Sequence, residues 1–229
     1  MQITWYGHAA FLAEGQNDTS STIRIVLDPY RAPDVGTYAP IDDWADIVAL
    51  SHINEKYHSF VDTVRGKEGQ SPVVLHGLEI LDTPQPVTIY GIPFTAQRVW
   101  EDATRTEPIA MVGFQMEGVS VLHMGDCGHA LSLPEIAACG KVDVVLALAG
   151  AGPTIALPDL RDFVRILNPR IVIPMHFLNE KINLPLRPVQ EFLDLMPSDS
   201  IRHWDTPTLT ITPETLPDET VVWVLPPAR

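Results

Sequence analysis

The sequence predicts an α/β fold, and three observations carry that prediction. Short β-branched or apolar runs recur, such as Thr22-Ile-Arg-Ile-Val-Leu27 and Ile171-Val-Ile173, each bounded by Gly, Pro or Asp, as buried strands are. The 21 prolines and 14 glycines are spread along the chain and punctuate many short elements. A unit of strand, Asp, connection and strand also occurs twice. It runs from Thr22 through Asp28 to Asp46-Ile-Val-Ala-Leu50, and again from Val119 through Asp126 to Asp143-Val-Val-Leu-Ala-Leu148. Such a repeat predicts two related halves packed together.

In chain order, Gln2–Tyr6 reads as a strand that breaks at Gly7-His8, and Ala9–Ala13 as its partner. Gly15–Ser21 is a polar turn, and Thr22–Leu27 a strand that stops at Asp28-Pro29. Tyr30–Asp43 contains Pro and Gly and has no periodicity, so it is expected to rim a site. Asp46–Leu50, Val73–Leu75, Val87–Tyr90 and Phe94–Val99 follow as strands. Met111–Met116 and Val119–Leu122 form a hairpin around Glu117-Gly118. Leu133–Ala138 is a short helix and Val142–Leu148 a buried strand. Leu157, Leu160, Phe163, Val164 and Leu167 have helical spacing, and that helix stops before Pro169. A strand at Ile171–Ile173 and a helix over Val189–Met196, with Pro188 in its first turn, come next. Leu209–Ile211 and Val221–Leu225 close the chain as strands, expected to complete the second half.

The 229 residues are 45% hydrophobic and contain no low-complexity linker, which predicts one domain over residues 1–229. The net charge of −14 disfavours a nucleic-acid partner, because there is no cationic excess to release counterions. Two cysteines, Cys127 and Cys139, make no disulfide framework. The first residues lack a signal-peptide pattern, and no apolar run approaches the roughly 18 residues that span a bilayer. A cytoplasmic protein with no membrane partner is the expectation.

Asp28, His52, Asp126 and His176 each lie just after a strand. Ligands of α/β sheets bind at the carboxyl ends of strands, and imidazole with carboxylate is the donor mixture of Zn, Mn and Fe sites. Taken singly, each residue reads as a turn cap or a backbone-bonded histidine.

These residues sit in stretches that resemble the metallo-β-lactamase-fold hydrolases, in the branch with L-ascorbate-6-phosphate lactonase and uncharacterised metal-dependent hydrolases. The stretches are Thr4-Trp-Tyr-Gly-His-Ala-Ala-Phe11, Leu27-Asp-Pro29, Ala45-Asp-Ile-Val-Ala-Leu-Ser-His52, His123-Met-Gly-Asp126 and Ile171-Val-Ile-Pro-Met-His-Phe177. The resemblance implies a four-layer αββα sandwich with the site at one edge of two sheets. It also implies the signature His-x-His-x-Asp-His, which here is degenerate. By direct register His52 is kept, while Asn54, Lys56 and Tyr57 replace the second His, the Asp and the last His. A one-residue insertion makes His58 the last His instead, and the sequence leaves both registers open. Glu101 falls where the family has a further His, whereas Asp126 and His176 match family ligands.

The resemblance therefore implies a hydrolase of a small ester, lactone or phosphoester. One divalent ion (Zn, Mn or Fe) would be held by His52, Asp126 and His176, completed by Glu101 and Asn54. His58, His129 and His8 are the alternates. Asp126 would orient the attacking water, and Lys56 or Tyr57 would stabilise the oxyanion. Two ions remain open, and so does none, with the Lys56 ammonium neutralising Asp126. That last case corresponds to a non-catalytic small-molecule-binding protein on the same fold. His8 also reads as a buried, hydrogen-bonded histidine, and His129 as a loop residue. Arg31, Arg98 and Lys181 are candidates to attract an anionic substrate.

Overall fold

The computed structural model describes residues 1–81, 83 and 85–229. Its first strands are β1 (Gln2–Gly7), β2 (Ala10–Gln16), β3 (Thr22–Leu27), β4 (Ile47–Leu50) and β5 (Val73–His76). β6 (Val87–Ile89), β7 (Ile92–Trp100), β8 (Pro108–Met116) and β9 (Val119–His123) follow. The last are β10 (Val144–Leu148), β11 (Ile171–Met175), β12 (Ile201–His203), β13 (Thr208–Thr210) and β14 (Val221–Val224). The helices are α1 (Ala32–Val35), α2 (Leu133–Ala138), α3 (Leu157–Leu167) and α4 (Val189–Leu193).

The strands form two mixed sheets. One has six strands in the order β13-β1-β2-β3-β4-β5, and the other eight in the order β12-β14-β11-β10-β9-β8-β7-β6. β3 runs parallel to β4 and β9 parallel to β10, so each repeated unit supplies two neighbouring parallel strands. The hairpin turns are tight because both central residues of each, Tyr90-Gly91 and Glu117-Gly118, have positive φ, the backbone that matches strand twist.

Alternation of side chains across the first sheet divides its residues between two cores. Ile3, Trp5, Phe11, Ile25 and Ile47 join Phe94, Val112, Val121, Leu146 and Ile173 in the larger apolar cluster. Tyr6, Leu12, Val26 and Val48 face the other way and pack under Tyr30, Val35, Tyr38 and Ile41. That outer cover is the 30–43 segment with only one turn of helix, because Pro33, Gly36 and Pro40 interrupt any longer one. On α3, Leu157, Leu160, Phe163 and Val164 are buried as the helical spacing requires. The helix ends at Asn168, which is left-handed and precedes Pro169.

Two expectations change. The Val189–Met196 helix is shorter, ending at Leu193, because Pro197 closes off its continuation. The C-terminal strands do not all join the second half. β12 and β14 extend the eight-stranded sheet, but β13 pairs antiparallel with β1, with Ile3 opposite Leu209. Strands of three or four residues carry too little pattern to specify a partner sheet.

Trp5 ties the core to the strand ends. It is fully buried, packs against Phe177 at 5.0 Å between ring centroids, and donates from Nε1 to the His8 carbonyl at 3.0 Å. Trp5→Ala is expected to cost about 3–5 kcal/mol, measured as a fall in the denaturation midpoint. A loss below about 1 kcal/mol would contradict this packing role.

Candidate metal centre

The carboxyl ends of β3, β4, β9 and β11 bring Asp28, His52, Asp126 and His176 to one edge of the two sheets, where the β1–β2 turn adds His8. The remaining member, His58, comes from the loop after β4. The Asn54 carbonyl accepts from the backbone N–H of Tyr57, His58 and Ser59 at 3.1, 2.8 and 3.0 Å, and the Ser59 hydroxyl bonds the Asn54 N–H at 2.9 Å. This tight turn places the His58 ring, fully buried, between two carboxylates.

Asp28 anchors the arrangement. Its Oδ1 accepts from Ser51 N at 2.7 Å, its Oδ2 from the Ser51 hydroxyl at 2.6 Å, and His58 Nδ1 lies 3.2 Å from Oδ2. Ser51 Oγ also lies 2.9 Å from His52 Nδ1. One carboxylate thus engages the Nδ1 side of His58 directly and that of His52 through Ser51, leaving both Nε2 atoms to the site. A carboxylate behind an imidazole is the support that fixes the ring of a metal ligand and raises its basicity. Asp28→Asn keeps the left-handed backbone at φ 40°, which Asn tolerates, but weakens this support. Metal affinity is expected to fall about 10–100-fold, measured by competition with a chromophoric chelator; an unchanged affinity would remove Asp28 from the site.

Two groups of possible ligand atoms result: His52, His58 and Asp126, and His8, His58 and His176, with the atoms of each group mutually within 4.8 Å. Asp126 Oδ2 is 2.7 Å from His58 Nε2, and Asp126 Oδ1 is 3.7 Å from His176 Nε2. The 2.7 Å approach is a buried ion pair whenever His58 carries its proton. Buried without a hydrogen-bond partner are both ring nitrogens of His8, His52 Nε2, His176 Nδ1 and Asp126 Oδ1. Leaving such atoms unsatisfied costs about 1–3 kcal/mol each, and a divalent cation is the one partner that suits imidazole nitrogens and a carboxylate together. The residues present therefore fit a metal ion.

Charge follows the same geometry. Burial lowers His58, but the Asp126 and Asp28 carboxylates more than offset it and push it up to about 10. Burial alone would raise Asp126, yet the neighbouring His58 and His176 hold it well below the usual carboxylate range. Burial, then the His58 charge, lowers His52 to about 4. Burial likewise lowers His176 and, with the His176 and His58 charges, takes His8 well down. Three residues here hold left-handed backbones, His8 at φ 51°, Asp28 at 40° and His176 at 53°. Strain of that kind gathers where side-chain placement matters to function.

The other expected residues lie outside both groups. Asn54 closes the turn with its backbone. Glu101 sits beside the Asp126 loop, where Gly128 N donates to the Trp100 carbonyl at 2.8 Å. A Cβ on Gly128 would fall 1.8 Å from the Glu101 carbonyl. Burial and then the Asp126 charge raise the Glu101 carboxyl. His129 Nδ1 lies 2.8 Å from the Ala130 carbonyl. Lys56 is exposed, so the expected neutralisation of Asp126 by its ammonium gives way to His58 in that place. Tyr57 is half-buried, its ring 6.0 Å from that of His8. His123 is spent on structure, with Nε2 2.8 Å from the Ala9 carbonyl and Nδ1 accepting from Gly125 N at 3.0 Å. Arg31 pairs with Asp34 and Lys181 with the Arg229 carbonyl.

Residues 2–176 match the model of the Beta-lactamase superfamily domain. A metal-dependent hydrolase from Methanosarcina mazei is 24% identical over 201 residues, covering 77% of this chain and 83% of the relative. One from Archaeoglobus fulgidus is 26% identical over 200 residues, with the same coverage. The solved structure of a candidate Zn-dependent hydrolase of the metallo-beta-lactamase superfamily from Thermotoga maritima is 27% identical. It superposes with a TM-score of 0.75 over 98% of this chain and 97% of that one.

Proposed function

The chain belongs to the metallo-β-lactamase superfamily, and from that premise we propose that it is a metal-dependent hydrolase using one divalent ion. The carrying observation is the buried nest of ligand atoms without hydrogen-bond partners on His8, His52, Asp126 and His176, gathered around the ion-paired His58. The single-ion reading rests on His58. Both ligand groups need it, its Nδ1 faces Asp28, and one remaining nitrogen serves one ion.

The ion would supply Lewis acidity and a water of lowered pKa. This chain's residues do the rest. Asp28 and Ser51 fix the rings of His58 and His52. Asp126, ionised and in contact with His58, orients the attacking water. Tyr57, half-buried with its ring 6.0 Å from that of His8, is the hydroxyl donor for the developing oxyanion. Lys56, exposed on the same loop, meets an anionic substrate before it enters. A small ester, lactone or phosphoester with a negative group suits this arrangement. The alternative of a non-catalytic small-molecule binder, which Asn54, Lys56 and Tyr57 favour together, loses only the Lys56 argument, since Lys56 is exposed.

Elemental analysis of protein purified without chelators tests the reading. About one equivalent of Zn, Mn or Fe, with turnover of lactones or phosphoesters abolished by chelation and restored by the ion, is expected. Protein that takes up no metal and gains no thermal stability on adding any would overturn it.

A further inference from the structure

His8 lies in a family-like stretch, where it is only an alternate ligand, and it is the one residue of the cluster with no partner on either ring nitrogen. Its backbone is accounted for, because its carbonyl accepts from Trp5 Nε1 and from His176 N at 3.0 Å. Its ring is fully buried, with both nitrogens unpartnered. The ring centroid lies 4.5 Å from that of His176 and 5.0 Å from that of His58. A core histidine serving packing alone would bond at least one ring nitrogen, as His123 does with both. The left-handed backbone at His8 is a further cost that packing does not require.

We propose that His8 is a metal ligand. With His58 and His176 it forms an all-imidazole seat, distinct from the mixed seat of His52, His58 and Asp126, and the two compete for one ion through His58. This rests on the metal-dependent reading above. The position by which the degenerate loop loses its signature carboxylate is thereby answered from a different part of the chain, the turn after β1. Donor chemistry sorts the ions between the seats: three neutral nitrogens suit Zn(II), Co(II) and Ni(II), whereas the carboxylate-containing seat suits Mn(II).

The test is metal affinity and the Co(II) absorption spectrum of the natural chain, His8→Asn and His52→Asn. Asn tolerates the left-handed backbone at position 8 and is a poor ligand for these ions. His8→Asn is expected to weaken Co(II) and Zn(II) by at least about tenfold and to change the Co(II) spectrum, leaving Mn(II) within about threefold. His52→Asn is expected to do the reverse. X-ray absorption on the Zn-loaded natural chain, which needs no variant to fold, should count three imidazoles. Equal Zn(II) affinity with an unchanged Co(II) spectrum in His8→Asn, or a two-imidazole Zn shell, would overturn the assignment of His8 while leaving a metalloprotein. Absence of binding by any ion overturns the metal-dependent reading as well.

Discussion

Replacing Asp126 with alanine is expected to abolish both metal retention and turnover. Its carboxylate is the only acidic donor in either ligand group among the described residues, and its two oxygens face different imidazoles, Oδ2 at 2.7 Å from His58 and Oδ1 at 3.7 Å from His176. Loss of an outer supporting group costs a metal site about 10–100-fold in affinity or activity, so loss of this donor should exceed the upper end of that range. Asp126→Asn separates charge from shape, since it keeps the volume and one oxygen but not the ionised carboxylate. It should retain the fold, measured by its melting transition, and still lose more than about a hundredfold in kcat/KM. Normal turnover in a folded Asp126→Ala protein would sink the mechanism.

The prominence of Asp126 shows which part of the site was legible in the sequence. Asp28, Asp126, His52 and His176 follow strong β runs, and a strand end has a defined place at the edge of a sheet. Placing the strands therefore places the side chains. His58 follows no strand. Its position depends on a turn closed by the Asn54 carbonyl, and nothing in Ile53-Asn-Glu-Lys-Tyr57 distinguishes that turn from the direct register of the family signature. Lys56 looked like a counter-ion for the same reason. Asn54 and Glu101 have ligand-capable side chains; the turn uses the Asn54 backbone, and the Glu101 carboxyl feels the Asp126 charge without joining either ligand group. Side-chain type alone does not reveal that.

His8 and Asp28 illustrate the opposite limit. Asp28 was visible as a strand-end carboxylate, yet its task of holding Ser51 and His58 is a relation between loops distant in sequence. His8 is a lone histidine after a strand, for which a satisfied core residue is the ordinary reading. The resemblance makes it no more than an alternate ligand, and the count of its missing partners is what argues for that role. The sheet exchange of β13 has a similar cause, because three residues of pattern do not choose between two edges that both accept a strand.

The second large effect concerns pH. In the metal-free protein His58 is pushed up to about 10 by Asp126 and Asp28 acting against burial, so at neutral pH it carries a proton that an incoming ion must displace. His52, at about 4, and His8 and His176, both lowered, are already neutral there, while Asp126 and Asp28 are ionised. One proton should therefore leave per ion bound, and affinity should rise about tenfold per pH unit, or about a hundredfold from pH 6 to pH 8. Calorimetry in buffers of different ionisation enthalpy counts that proton directly. The stability of the metal-free chain should move the other way. A folded pKa raised above the ordinary histidine value gives stability that is complete below about 6.5 and is lost as pH rises toward 10. The melting temperature of the metal-free protein should thus fall over that range, and that of His58→Gln should not follow it. An affinity independent of pH from 6 to 8, with no proton released, would mean that His58 Nε2 is not the atom the ion takes.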